Sequence, residues 1–234
     1  MNILALDTCF GACSAAAGRP GSDLACEFEL RQTGHAEALL PMVEQVMARA
    51  QLPFSDLDRI AVTVGPGSFT GMRIGIAAAR ALSLATGAPV TGVPTLMVMA
   101  ATARRDHALS GNRGKLPAHM LVAVDARKGQ VYAQLFGGSS QGVHTAEVLD
   151  PADAARLIPE GPVVLTGSGA ALVAAQLERV RTDVTVIFPG LQPDAACLAA
   201  LAVDMAADHM PVRPLYLRPP DAKPQVGTSI PRVT

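Results

Sequence analysis

Two aspartates stand where the chain could handle a nucleotide. Asp7-Thr8-Cys9 ends one apolar run and turns back into another, and Asp125-Ala126-Arg127-Lys128-Gly129 repeats the arrangement. A turn at a strand end can offer backbone N–H groups and a hydroxyl to phosphates, while the carboxylate holds a hydrated cation. Aspartates also cap turns through their own side chains, and for Asp7 and Asp125 the two readings stand level. Gly65-Pro66-Gly67-Ser68-Phe69-Thr70-Gly71 lies at a strand-to-helix junction, where helix N–H groups attract anions. No Lys follows its last Gly and G-x-G-x-x-G spacing is absent, so a tight turn with an N-cap hydroxyl explains it more simply. Gly167-Ser168-Gly169 has the same setting, with Gly167 placed to pack on a base or ribose or simply to turn the chain. His35, His107, His119, His144 and His209 form no H-x-x-x-H or H-E-x-x-H pattern. Ser68 lacks a G-x-S-x-G setting. Cys9, Cys13, Cys26 and Cys197 include no C-x-x-C pair and read as buried, reduced thiols.

The elements that position these residues follow a repeated order. Residues 2–7, 11–18 and 24–31 read as strands, followed by a helix over 37–51 that tolerates Pro41 only near its first turns. A strand at 59–64, a helix over 70–86, a strand at 90–93 and a helix over 94–108 complete the first half. Ser110–Pro117 is polar and Gly-rich and reads as a linker. Strands are then expected at 119–125, 130–137 and 142–148, a helix from 151, a strand at 163–166 and a helix over 169–181. A strand at 184–188 and a helix over 193–209 follow. Both halves therefore run βββαβαβα, which gives mixed sheets covered by helices and suggests a duplicated actin-like fold with a cleft between halves. The division is 1–109 for the first half, 110–117 for the linker and 118–218 for the second half. A Pro-rich polar tail, expected to be mobile, occupies 219–234.

Two helices of the first half carry more apolar surface than one neighbour needs. Gly71, Gly75, Ala79 and Ser83 recur every fourth residue, a ridge on which another helix can approach closely. Leu39, Leu40, Met42, Val43, Val46, Met47 and Ala50 span an arc of roughly 160°. Part of these faces is expected to meet a second subunit through Leu39, Val43, Val46, Met47, Gly71, Met72, Gly75 and Ala79. Packing within the same half is the alternative.

The 234 residues carry 19 Lys and Arg against 20 Asp and Glu, a formal net charge of -1 with no dense basic cluster. Autonomous binding of nucleic acid is therefore disfavoured. No apolar run approaches the ~20 residues that span a bilayer. The opening MNILALDT lacks a basic leader, so the expected location is cytoplasmic.

Five stretches then match a known family in order: Ile3–Thr8, Gly34–Pro41, Gly65–Gly75, Asp125-Ala126-Arg127 before Val131-Tyr132, and Pro214–Arg218. Together they resemble the TsaB (YeaZ) family of bacterial tRNA threonylcarbamoyladenosine synthesis. The resemblance implies a duplicated actin-like fold (ASKHA, ribonuclease H-like) in an α/β chain that is not itself an enzyme. It implies a partner subunit of TsaD, the transferase that threonylcarbamoylates adenosine 37 of tRNAs reading codons that begin with A. The implied assembly is a heterodimer with TsaD through the N-terminal helices, enlarged by the ATPase TsaE. A homodimer is the alternative when TsaD is absent.

In TsaD, two metal-binding His four residues apart follow the strand after the small-residue helix; Thr95 and Met99 stand there in this chain. No cofactor is then required by the chain itself. ATP or ADP at the TsaD interface stays open, with Asp7, Thr8, Asp125 and Gly167 forming the nucleotide cleft. Cys9 replaces the family's usual Ser and Gln130 a common acidic residue, which weakens ATP hydrolysis by this chain alone. The tRNA would be met only through the complex, helped by Arg104, Arg105 and Arg113, and no membrane is involved. The competing readings are an ATP-dependent enzyme of the actin/sugar-kinase group and a glycoprotease-like metallopeptidase.

Overall fold

The computed structural model describes residues 1–22, 24–111, 115–138, 142–177, 181–208 and 211–218. The expected tail from Pro219, Arg113 within the expected linker, and His209 lie outside these residues. Ile3–Asp7 (β1) is buried at every position, the pattern of a strand covered on both faces. Ala12–Gly18 (β2) and Leu24–Leu30 (β3) extend it antiparallel, while Arg59–Gly65 (β4) and Val90–Pro94 (β5) extend it in parallel, giving the order β3-β2-β1-β4-β5. His119–Asp125 (β6), Val131–Phe136 (β7), Glu147–Leu149 (β8), Val163–Thr166 (β9) and Val184–Val186 (β10) form the second sheet, β10-β9-β6-β7-β8. Both sheets have one order and one pattern of parallel and antiparallel pairs, so the fold is the expected duplicated actin-like α/β fold.

Helix ends follow local chemistry. Phe69–Thr86 (α2) starts at Ser68, whose hydroxyl accepts the Gly71 N–H, and stops at Gly87, whose φ of 78° suits a left-handed cap. His35–Arg49 (α1) starts two residues earlier than expected and runs through Pro41 on its exposed side. Burial of Leu39, Met42, Val43, Val46 and Met47 offsets the roughly 3 kcal/mol that an interior Pro costs. No described helix is long and apolar enough to cross a membrane.

The layers run α1 and α2, first sheet, central helices, second sheet, outer helices. Thr95–Leu109 (α3) lies in the middle, where Leu96, Met99, Ala100 and Ala103 pack with Met120, Val122, Val124 and Phe136 of the second sheet. Pro151–Arg156 (α4) and Ala170–Leu177 (α5) cover the far side of that sheet.

The last helix departs from the expected division. Ala195–Val203 (α6) ends six residues short of the expected 209 and packs on the first sheet, with Leu198, Ala199 and Ala202 against Ile3, Ala5, Ala16 and Ala61. It is held at both ends: Ala195 N–H donates to Ser14 Oγ at 3.1 Å, and Arg59 donates to the Ala202 and Met205 carbonyls. A segment expected in the second half thus completes the core of the first. The third strand of the second half also differs, forming over Glu147–Leu149 with only a bridge at Gly142. Gln134 Nε2 donates to the His144 carbonyl at 2.9 Å, so a side chain takes a backbone group that a longer ladder would have used.

Candidate functional site

Pairing with both β2 and β4 brings the end of β1 beside Thr63. Asp7 is fully buried there, with Oδ1 accepting from Thr63 Oγ1 at 2.5 Å and from Cys9 N–H at 3.3 Å. Asp7 Oδ2 is buried with no hydrogen-bond partner among the described residues. Burial pushes this carboxyl up to about 7, although the bonds from Thr63 and Cys9 pull the other way. The neighbouring Cys9 Sγ donates to Thr63 Oγ1 at 3.2 Å, and burial raises that thiol to about 12. Cys9, Cys13 and Cys197 are buried as expected; Cys26 is exposed, a departure explained by its place on the edge strand β3.

The small-residue ridge of α2 meets this turn. Thr8 Oγ1 donates to the Gly71 carbonyl at 2.7 Å. A Cβ on Gly71 would lie 2.0 Å from the Thr8 carbonyl oxygen, and one on Gly75 2.8 Å from Thr8 Oγ1. Only glycine lets the helix sink this far. Leu39, Val43, Val46, Met47, Gly71, Met72, Gly75 and Ala79, expected to meet a partner, are all buried in the chain itself. The physical reason is the sheet beneath: Cys13, Ala15 and Ala17 are small, so α1 and α2 settle deeply and their broad apolar arcs are absorbed. The surface that remains carries Leu40, which is 52% exposed, and Leu84, which is 90% exposed. Small Ala77, Ala81 and Ala85 and charged Glu44 and Arg73 accompany them.

Three backbone donors beside the first-half turn are occupied internally. Cys9 N–H serves Asp7, Gly11 N–H donates to Gln192 Oε1 at 2.8 Å, and Ser68 N–H donates to the Cys9 carbonyl at 2.7 Å. With Asp7 sealed and the Thr8 hydroxyl turned to Gly71, these residues do not fit a magnesium-bound nucleotide. The second half is built differently. Asp125 is exposed, its Oδ1 accepting the Arg127 N–H at 2.7 Å and its own N–H donating to Ser168 Oγ at 3.1 Å. Gly167 is buried at φ 93°, and a Cβ there would lie 2.5 Å from the Ala123 carbonyl oxygen, so it serves close packing of the chain on β6. Of the four residues expected to form the nucleotide cleft, Asp7, Thr8 and Gly167 are buried and Asp125 is exposed.

An opening does exist nearby. A cleft of about 620 Å³ is lined by Phe10, His35, Ser68 and Thr70 of the first half and by Arg127 of the second. Sequence reasoning named Ser68 and Thr70 as junction residues but missed the convergence of the α1 and α2 starts with Arg127. The available signal was the Asp-Ala-Arg-Lys-Gly turn, which places Arg127 at φ 64° two residues past its strand. Arg105 is paired with Asp106 and Asp194, and Arg104 donates to the Gly137 carbonyl, so both hold the fold. Thr95 is fully buried and its Oγ1 accepts the Gly65 N–H at 3.0 Å; Met99 lies in the core beside it.

Comparison with known proteins places this arrangement. The family model described as TsaD, tRNA N6-adenosine threonylcarbamoyltransferase, matches residues 29–222. The tRNA threonylcarbamoyladenosine biosynthesis protein TsaB of Escherichia coli (strain K12) is 32% identical over 230 residues, covering 93% of this chain and 95% of the relative. The Haemophilus influenzae protein of the same name is 29% identical, covering 93% of this chain and 94% of the relative. The solved structure of YeaZ from Pseudomonas aeruginosa superposes with a TM-score of 0.77 at 29% identity, covering 92% of this chain and 99% of that one.

Proposed function

The chain belongs to the TsaB (YeaZ) family, and from that premise we propose that it serves tRNA threonylcarbamoyladenosine biosynthesis as a non-catalytic partner subunit of TsaD. The observation that carries the partner role is the exposed side of α1 and α2, where Leu40 is 52% exposed on one helix and Leu84 90% exposed on the other, with Ala77, Ala81 and Ala85 also exposed on α2. Scattered exposed leucines are ordinary, but two neighbouring helices bearing them beside alanines offer a surface another helix pair can approach. The match of this chain to the TsaD family model supports pairing of two similar folds through equivalent helices. TsaE joins the heterodimer, tRNA is met through the assembly, and the same face pairs two copies when TsaD is absent.

Two features favour a subunit without its own chemistry. The Cys9 and Gly11 N–H groups of the first-half turn bond internally, which argues against the ATP-dependent reading. Thr95 and Met99 occupy the position assigned to the TsaD histidines and are packed into the core, which gives the metallopeptidase reading no support. Sedimentation velocity of the chain with its cognate TsaD tests the proposal. A mixed species is expected, weakened about a hundredfold by Leu40→Glu combined with Leu84→Glu, the scale of a central interface anchor. Absence of association at micromolar concentration overturns the reading.

A further inference from the structure

Pro211–Arg218 forms no helix or strand, yet it is tied to four separate places. Arg80 of α2 donates to the Val212 carbonyl. Leu215 N–H donates to the Val64 carbonyl at 2.7 Å, close enough that a Cβ on Gly65 would lie 2.8 Å from the Leu215 oxygen. Tyr216 stacks on Phe69 with ring centroids 5.5 Å apart, and Arg73 Nε donates to its hydroxyl at 2.9 Å. The Arg73 guanidinium also lies 3.7 Å over the Phe69 ring, so three exposed side chains of α2 and the segment lock together. Two residues on, the segment reaches the other half. Arg218 Nη1 donates to the Ala126 carbonyl at 2.8 Å and Nη2 to Gln130 Oε1 at 2.6 Å.

The second-half turn it grips is the one that carries Arg127 into the cleft. In that turn Arg127, Lys128 and Gly129 all lie at positive φ, a conformation costly for Arg and Lys; Ala126 and Gln130 close it with backbone hydrogen bonds and Asp125 Oδ1 accepts the Arg127 N–H. A cavity of about 390 Å³ lies only at the start of the segment, lined by Val64, Gly92 and Pro211–Arg213, while Leu215 is held against β4. Tyr216 and Arg218 are two residues apart, so a displacement of one anchor is carried directly to the other.

We propose that Pro211–Arg218 is a strap that couples the start of α2 to the Asp125–Gln130 turn, so that the state of Phe69 and Arg73 sets the position of Arg127 in the cleft. Tyr216 holds the first half and Arg218, two residues on, holds the second, and neither needs to touch a ligand. The inference concerns motion within this chain and stands whether or not TsaD docks on α2.

Hydrogen–deuterium exchange of the full chain, resolved by peptide, tests the coupling. Arg218→Ala is expected to speed exchange over Ala126–Gln130 about tenfold, the scale of losing a hydrogen bond to a charged donor. Gln130→Glu is expected to slow it by turning the Arg218 contact into an ion pair. The deciding variant is Tyr216→Ala: Tyr216 stacks on Phe69 and accepts from Arg73, both of the first half, yet the second-half turn is expected to loosen. Tyr216→Phe, which keeps the stack and loses the Arg73 bond, is expected to give a smaller increase. If Tyr216→Ala leaves Ala126–Gln130 unchanged, the two ends are independent anchors and the strap is overturned. Faster exchange spread evenly over β1 and β6 also overturns it, since that marks general destabilisation.

Discussion

Asp7 and Asp125 end equivalent strands of a duplicated fold, yet one is sealed and the other faces solvent. The difference arises in the path of the chain beyond each strand. After β1 the chain folds under α2, whose Gly71 and Gly75 let the helix press onto Thr8, and Thr63 closes over the carboxyl. After β6 the turn swings outward through three left-handed residues, and the short α5 begins behind it at Ala170. Duplication thus repeats topology without repeating a site: glycine placement and helix depth decide which strand end stays open.

The strongest way to break that contrast is to lift α2. Gly71→Ala adds one methyl group 2.0 Å from a backbone oxygen that cannot rotate away. The expected loss is about 3 kcal/mol, at the upper end for overpacking, read as a lower urea midpoint. Gly75→Leu is expected to lose more, because its whole side chain must enter between Thr8 and Val62. A stable Gly75→Leu protein would show that α2 can stand off the sheet and that the ridge is available to a partner after all.

That outcome bears on how much was legible beforehand. The order of strands and helices was readable because buried apolar runs, Gly65-Pro66-Gly67 and Gly87 punctuate the chain clearly. The facing of α1 and α2 was not. An apolar arc reports that burial occurs, not against what, and the alanines of β2 that deepen the seat exert their effect only once the sheet is assembled. The crossing of α6 to the first sheet was hidden for the same reason. Arg59 and Ser14, which hold that helix, lie more than a hundred residues away in sequence. Of the site, the glycine junction before α2 was visible as a turn. The sealing of Asp7 depends on Thr63, which no local pattern connects to it.

Acidity sharpens the contrast next. The Asp7 carboxyl is raised from 3.8 to about 7 in the folded chain, so between these values the folded state keeps a proton that the unfolded state has lost. Stability from this group is therefore full below about pH 4 and falls as pH rises towards 7, on the order of 1 kcal/mol per pH unit. Above pH 7 its cost is constant. Asp7→Asn removes the titration, so the stability of the variant relative to the parent is expected to climb from pH 4 to 7 and then level off. Urea melts at unit pH steps measure the difference; a flat difference would mean that Asp7 is hydrated in solution.

The smallest effect is expected at the other strand end. Asp125 is exposed and its side chain accepts one backbone hydrogen bond, from Arg127, which an Asn oxygen can also accept. Asp125→Asn should therefore change stability by no more than about 0.5 kcal/mol, as for most surface substitutions away from special features. The double variant carries the argument further. Sites without shared partners add within about 0.5 kcal/mol, so Asp7→Asn and Asp125→Asn should be additive if the sealed and open ends are independent. Coupling beyond that margin would mean that the two halves close far enough for the carboxyls to sense each other. The contrast between them would then belong to one position of the cleft and not to the fold.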